Sequence, residues 1–399
     1  MSSEVASPKA VDYVAQLTPY VPGKPIAELE REYGVSNVVK VASNENPLGP
    51  SPKVVDYLQQ MLLHPQELAR YPDGNGFVLK NKLLEFYSAF NSTRNSTSRS
   101  KEPLQLSVNQ ITLGNGSNDI LDLLARTFAG QNDEVIFSQY AFAVYPIATQ
   151  AVGATAVITP AKNWGHDLDA MLEAITDKTR LIFIANPNNP TGTCLSAKDL
   201  LNFIKQVPAN IVVVIDEAYE EYASSVDSPY VEQYQSMLNV LYDFENLVIS
   251  RTFSKAYGLA SFRVGYAFSS SVIADLLNRV RQPFNNNTFA LEAAAIALSD
   301  QNHIERSAAL NWQGMNYLIE SFTQLGLDYI PSAGNFICVN IGTECAQIYE
   351  KLLYEGVITR PVANYQMPEF LRISLGSMDE NKRVINALQN VLGKLSTDK

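Results

Sequence analysis

Apolar and polar residues follow two periods along this chain, and the places where one gives way to the other divide it. Over the first 40 residues there is little of either: 18–25 reads as an extended, proline-rich arm, and Ile26–Tyr33 as a short helix stopped at Gly34. A helix is predicted over 52–63, with Ser51 as N-cap and Pro52 in its first position, and another over 79–90. Turn-rich stretches at 43–50 and 71–77 precede them. From residue 111 the pattern becomes regular. Short apolar runs at 111–113, 135–137, 155–158, 181–185, 211–215 and 247–249 alternate with segments of helical spacing, the first of which puts Ile120, Leu123, Leu124 and Phe128 on one face. Runs such as Ile211-Val-Val-Val-Ile215 show no polar alternation, which suits a parallel sheet buried on both faces. Strands alternating with helices predict an α/β doubly wound core.

After about residue 285 the character changes. Residues 286–330 read as largely helical, and 335–341 and 370–375 as strands with polar residues interleaved. In the second of these, Leu371, Ile373 and Leu375 face one way and Arg372 and Ser374 the other, which predicts a half-exposed sheet. Ser377-Met-Asp-Glu380 is a capping box opening a helix with Val384, Leu388, Val391, Leu392 and Leu395 on its apolar face. The expected organisation is an N-terminal arm over 1–45, a large α/β domain over 46–285 and a smaller α+β domain over 286–399. The Ser/Thr/Asn-rich stretch 91–109 is expected to be a surface insertion in the large domain.

Length and composition narrow the function. A chain of 399 residues, 46% hydrophobic and 18% charged, has material for two domains. A net charge of −11 argues against nucleic acid as a partner, since phosphate backbones need a basic surface. Cys194, Cys338 and Cys345 form no Cys-x-x-Cys, which points to a reducing compartment. His64, His166 and His303 are scattered, which counts against a histidine-based zinc site or a Ser-His-Asp triad. The first residues lack the basic and apolar regions of a secretory signal, so a cytoplasmic location is expected and the sequons at Asn91 and Asn95 carry no weight. No apolar run approaches the roughly 18 residues of a membrane span.

In an open α/β sheet, ligands bind beyond the carboxyl ends of the strands. Each apolar run is followed by a distinctive group. The run at 111–113 leads to Gly114-Asn-Gly116-Ser117-Asn118 at a helix N-terminus, where free N–H groups favour a phosphate or Ser and Asn simply cap the helix; the third glycine of a dinucleotide fingerprint is missing. The run at 135–137 leads to Tyr140-Ala-Phe142-Ala-Val-Tyr145, where a ring can stack on a flat ligand or simply pack in the core. Asn186-Pro-Asn-Asn189-Pro-Thr-Gly follows 181–185 and makes a stiff turn that either aims Asn189 at a ligand or is a plain rigid loop. Asp216 and Tyr219 follow 211–215, and a carboxylate there is costly unless a cation meets it. A nucleotidase would need a phosphate loop of the Gly-x-x-x-x-Gly-Lys type, which the chain lacks. The run at 247–249 leads to Thr252, Ser254, Lys255 and, eight residues on, Arg263. A lone loop lysine is ordinarily a solvated surface charge, but one sheltered by Phe253, Tyr257 and Leu259 has a lowered pKa and can act as a nucleophile. Together these groups fit a phosphorylated, aromatic, aldehyde-bearing pyridine.

The chain resembles the fold type I pyridoxal-phosphate aminotransferases. The matching motifs run in order over nearly its whole length: Asn44-Glu-Asn-Pro-Leu-Gly-Pro, Tyr71-Pro-Asp-Gly-Asn-Gly, Gly114-Asn-Gly-Ser, Asn186-Pro-Asn-Asn-Pro-Thr-Gly, Asp216-Glu-Ala-Tyr, Arg251-Thr-Phe-Ser-Lys-Ala-Tyr-Gly, Phe262-Arg-Val-Gly-Tyr and Leu371-Arg-Ile-Ser-Leu-Gly. It departs at 91–109 and at Gln139-Tyr140-Ala-Phe142. The resemblance implies a large, mostly parallel sheet domain with a smaller α+β domain, and pyridoxal 5'-phosphate as cofactor. Lys255 would hold the cofactor covalently and move the proton. Asp216 would pair with the pyridine nitrogen, Asn189 and Tyr219 with the phenolic oxygen, and Phe142 would stack on the ring. Gly116, Ser117, Asn118, Thr252, Ser254 and Arg263 would hold the phosphate, joined by Tyr71 from the neighbouring subunit of a homodimer. Arg372 would clamp a 2-oxo acid carboxylate, Arg360 a substrate phosphate, and Tyr20 and Asn46 would line the substrate pocket. The implied reaction is transamination between L-histidinol phosphate and 2-oxoglutarate. The rivals on the same scaffold are aromatic amino acids as substrates, or decarboxylation of a phosphothreonine-type substrate. A cofactor-sensing regulator would need a DNA-binding module for which the acidic chain has no spare domain.

Overall fold

The structure is a computed structural model that describes residues 8–20, 22–94 and 106–397. Its centre is a seven-stranded sheet built from Ile111–Gly114 (β1), Glu134–Ser138 (β2), Thr155–Thr159 (β3), Thr179–Ala185 (β4), Val212–Asp216 (β5), Leu247–Thr252 (β6) and Gly265–Phe268 (β7), in the order β1-β7-β6-β5-β4-β2-β3. Strands β2 to β6 pair parallel to one another. The uninterrupted apolar runs have the expected cause. In β4, Ile182 and Ile184 pack into one helix layer while Leu181, Phe183 and Ala185 pack into the other; Val213 and Ile215 are divided in the same way from Val212 and Val214 in β5.

Strand β7 is not in the sequence expectation. It runs antiparallel to both β1 and β6 and fills the place between them. Gly265 opens it because a side chain there would overlap the backbone of Gly116 and Ser117. The strand therefore supports the start of the helix Ser117–Phe128 from behind.

The second sheet joins Tyr329–Ile330 (β8), Phe336–Asn340 (β9), Arg360–Val362 (β10) and Met367–Ser374 (β11), all antiparallel, in the order β8-β9-β11-β10. It is not half-exposed. Leu371, Ile373 and Leu375 pack with Ile337, Val339 and the helices behind, whereas Arg372 and Ser374, only 6% and 3% exposed, face the large sheet's ligand end. The polar face is covered by the other domain rather than by water. The capping box at Ser377 forms: Ser377 N donates to Glu380 Oε2 at 2.7 Å and Glu380 N to Ser377 Oγ at 3.3 Å.

The chain leaves the large domain later than the expected boundary at 285. The helix Thr288–Ala297 packs into the core of the large sheet. The helix Gln301–Gln324 begins there with Ile304 and Ala308 and ends in the smaller core with Trp312, Met315, Leu318 and Phe322. We therefore place the domain change inside this helix. The N-terminal arm joins the small domain: Leu29 packs on Leu353 and Ile358, and Val39–Lys40 pairs parallel with Val357–Ile358. Of the polar stretch 91–109, residues 95–105 lie outside the described residues; before it the helix Phe77–Arg94 continues to Arg94. No helix among the described residues is long and apolar enough to cross a membrane.

Candidate active site

The carboxyl ends of β4, β5 and β6, the turn after β1 and the polar face of β11 surround a cavity of about 340 Å³. At one end lies an anion cradle. Gly116, at φ 82°, precedes the helix Ser117–Phe128, whose first residues Ser117 and Asn118 line the cavity. The free N–H groups of this first turn and the helix dipole favour an anion. A Cβ at Gly116 would overlap the guanidinium of Arg263, so only glycine lets the cation lie over the turn. Thr252 Oγ1 accepts from Ser254 N at 3.1 Å, and Ser254 Oγ accepts from Arg263 Nη1 at 3.3 Å. Hydroxyls, amides and a guanidinium thus converge where a phosphate fits.

Asp216 ends β5 at 5% exposure. Its Oδ2 accepts from the Tyr145 hydroxyl at 3.1 Å, and its Oδ1, fully buried, has no partner. Burial pushes the carboxyl up to about 6 against the opposing hydrogen bonds from Tyr145 and Ala218 N. A protonated ring nitrogen would satisfy the orphaned oxygen and return the carboxyl to its charged form. Tyr145 itself stacks on Phe183, with ring centroids 4.7 Å apart and an 8° interplanar angle. Phe142, on the same segment, lines the cavity. Sequence reasoning missed Tyr145 as a site residue; its signal is a tyrosine near the strand end whose buried hydroxyl must find an acceptor. It also missed why Arg251 and Glu217 flank the functional residues. Arg251 Nη2 meets Glu217 Oε2 at 2.7 Å and Nη1 meets Glu220 Oε2 at 3.1 Å, all nearly inaccessible to solvent, which ties β6 to the turn after β5.

Lys255 follows β6 and lines the cavity, its Nζ donating to Ser43 O at 3.3 Å. Burial lowers its pKa to about 8, assisted by repulsion from Arg372 and Arg263 and opposed by Glu45 and Asp216. Nζ lies 5.8 Å from the centre of the Tyr219 ring. The Tyr219 hydroxyl receives hydrogen bonds from Asn189 Nδ2 at 3.1 Å and from Asn44 Nδ2 at 2.9 Å. Arg372 crosses from the small domain: Nη1 donates to Asn189 Oδ1 at 2.6 Å and Nη2 to Ala42 O at 2.9 Å, while the buried Nε has no partner. An unsated guanidinium at the cavity wall suits a carboxylate.

The remaining predicted residues divide. Tyr20 lines the cavity and carries the Arg360 guanidinium 5.5 Å from its ring centre, and both line an adjoining cavity of about 530 Å³ that also shares Ile147. Asn46 does not line the main cavity; its amide donates to Ala256 O at 2.7 Å and Ser307 Oγ at 2.8 Å, bracing the loop after Lys255. Tyr71 is 82% exposed, stacked on Phe284, and does not line the cavity of its own chain.

The donor set fits pyridoxal phosphate: an amine, a buried unpaired carboxylate oxygen at one end and a phosphate cradle at the other. Comparisons agree. The family described as "Aminotransferase class I and II" matches residues 36–388. The chain is 53% identical over 383 residues to histidinol-phosphate aminotransferase 2 of Pseudomonas fluorescens, covering 96% of each, and 52% identical over 381 residues to that of Pseudomonas aeruginosa, covering 95% and 96%. The crystal structure of histidinol-phosphate aminotransferase from Sinorhizobium meliloti, in complex with pyridoxal-5'-phosphate, superposes with a TM-score of 0.82 at 26% identity, over 98% of this chain and 100% of that one. A Thermus thermophilus aspartate aminotransferase variant, 20% identical with a TM-score of 0.80 over 96% and 100% of the two chains, shares the fold. The chain belongs to the class I and II aminotransferases, and among them to the histidinol-phosphate aminotransferase family.

Proposed function

We propose that the protein transfers the amino group of L-histidinol phosphate to 2-oxoglutarate, giving imidazole acetol phosphate and glutamate, in histidine biosynthesis. The substrate assignment rests on the 53% identity, spanning 96% of both chains, to a protein that bears this activity's name. When bound, pyridoxal phosphate supplies an aldehyde that takes up an amine and a ring that accepts the electron pair left at Cα. Everything else is the chain's own work. Gly116, Ser117, Asn118, Thr252, Ser254 and Arg263 hold the phosphate. Asp216 Oδ1 would keep the ring nitrogen protonated, and Phe142 would cover the ring. Lys255 would hold the cofactor through Nζ and, once freed by the substrate amine, would take the proton from the substrate Cα with that same Nζ. Its lowered pKa leaves enough neutral amine to do so near neutral pH. Arg372 receives the carboxylate of 2-oxoglutarate or glutamate, which alternate with the phosphorylated substrate in the same cavity, so ping-pong kinetics follow. Arg360 and Tyr20 receive the substrate's phosphate end. The enzyme works as a cytoplasmic homodimer, with Tyr71 reaching the partner's phosphate cradle.

The test is a half-reaction screen. The cofactor-loaded protein is mixed separately with histidinol phosphate, phenylalanine and phosphothreonine, and the absorbance of the lysine-bound cofactor is followed. Histidinol phosphate is expected to discharge it fastest. Discharge by phenylalanine without discharge by histidinol phosphate would replace the substrate. Release of carbon dioxide from phosphothreonine would replace the reaction.

A further inference from the structure

The Tyr219 hydroxyl has one proton and two acceptor sites. Asn189 fills one site, and its orientation is fixed because its Oδ1 accepts at 2.6 Å from Arg372, a group that can only donate. Asn44 fills the other. Asn44 N donates to Ser374 Oγ at 2.8 Å, Ser374 Oγ donates to Asn44 Oδ1 at 2.9 Å, and Asn44 Nδ2 donates to the Tyr219 oxygen at 2.9 Å. Asn335 Nδ2 holds the Asn44 carbonyl at 3.0 Å. The backbone at Asn44 has φ 55°, a conformation that Asn and Asp adopt more readily than other side chains. Ser374 and Asn335 belong to the small domain; Tyr219 and Asn189 belong to the large one. With both acceptor sites filled and only 3% exposure, Tyr219 has one direction left for its proton, the cavity it lines.

We infer that Asn44 is a positioning residue that turns the Tyr219 hydroxyl into an obligate donor toward the cofactor's phenolic oxygen. The inference rests on the cofactor assignment made above. A proton donated to that oxygen stabilises its anion and lowers the pH at which the neighbouring lysine-bound nitrogen loses its proton. Asp216, Glu45, Arg372 and Arg263 are the charged groups facing that position, and all stay in place in the variants below.

The experiment is a pH titration of the absorbance of the cofactor-loaded, full-length protein. The variants are Asn44→Ala and Asn44→Asp, each alone and combined with Tyr219→Phe. Asn44→Asp keeps the shape and the positive φ, but presents an acceptor where Asn44 presents a donor. Both single variants are expected to raise the midpoint by about 0.5–1 pH unit, the size of one hydrogen bond's contribution. With Tyr219→Phe in place, Asn44→Ala is expected to add no shift, and what Asn44→Asp still adds measures its charge alone. A wild-type midpoint in Asn44→Ala overturns the inference, as does an equal shift with and without the Tyr219 hydroxyl. An unshifted Asn44→Asp overturns it too, because that is the pattern of an Asn44 that already turns its oxygen to Tyr219. If the wild-type protein itself forms no lysine-bound, pH-dependent chromophore, the cofactor assignment falls and takes the inference with it. A normal wild-type titration with unmoved variants sinks the inference alone.

Discussion

For the proposed attack on a carbonyl, the Lys255 amine has to be neutral. Burial strips hydration from its ammonium, and Arg372 and Arg263 add like charge, which brings the pKa from 10.5 to about 8. The sign is definite: below this value the amine is protonated and inert, above it neutral and nucleophilic. Capture of pyridoxal phosphate by the cofactor-free protein is therefore expected to accelerate with pH and level off just above pH 8. Stopped-flow absorbance measures this, and a rate still climbing toward about 10, as for an exposed lysine, would refute the sheltered amine. Arg372→Ala should move the midpoint upward, because it removes the largest like-charge contribution. Lys255, Asp216, Asn189 and Tyr219 were legible because each follows an apolar run that announces its own strand end. Asn44 and Tyr145 were not. Their partners, Ser374 and Asp216, lie 330 and 71 residues away, and no local pattern encodes such a pairing.

At the level of elements, the anion cradle depends on one turn fitting against one strand. Gly116 sits at φ 82° and leaves room for Arg263, and Gly265 lets β7 pass behind it. Gly116→Ala is expected to displace the guanidinium and weaken cofactor binding by at least about 10-fold, since a charge-assisted contact is lost along with the backbone cost. Gly34→Ala is the control: φ is 65°, nothing lies within 4 Å of the added methyl, and the glycine only ends the helix Ile26–Tyr33. It should lower thermal stability by roughly 1 kcal/mol and leave cofactor affinity alone. Equilibrium dialysis and thermal melts separate the two, and equal affinities would show that the Gly116 turn is not what holds the phosphate. The same strand marks a limit of pattern reading. With four residues and an opening glycine, β7 gives too short an apolar run to stand out, and nothing local says that it runs antiparallel. In β11 the alternation is real, but it does not mean a half-exposed sheet. Alternation shows that two faces differ in chemistry; whether the polar face meets water or another domain depends on the long-range packing that brings Arg372 to Asn189.

Two predicted site residues lie outside the cavity of their own chain: Asn46, which braces the loop after Lys255, and Tyr71. Tyr71, 82% exposed, projects into solvent stacked on Phe284, itself 45% exposed. Two exposed rings stacked on each other suit a subunit contact. In a two-fold dimer the same patch serves both chains, so each Tyr71 would complete the other chain's cavity. Heterodimers of a Lys255→Ala chain and a Tyr71→Ala chain, carrying different tags and purified through both, make this testable. If Tyr71 acts across the interface, one cavity lacks both residues and the other has both. Such heterodimers should then recover about half the wild-type activity per dimer, because one of two symmetric sites is whole, and the intact site should bind cofactor as the wild type does. If Tyr71 instead served its own chain, one cavity would lack the lysine and the other the tyrosine. Activity could then not exceed half that of the Tyr71→Ala homodimer. The two outcomes differ most when the Tyr71→Ala homodimer is itself strongly impaired, so its cofactor affinity and turnover must be measured alongside.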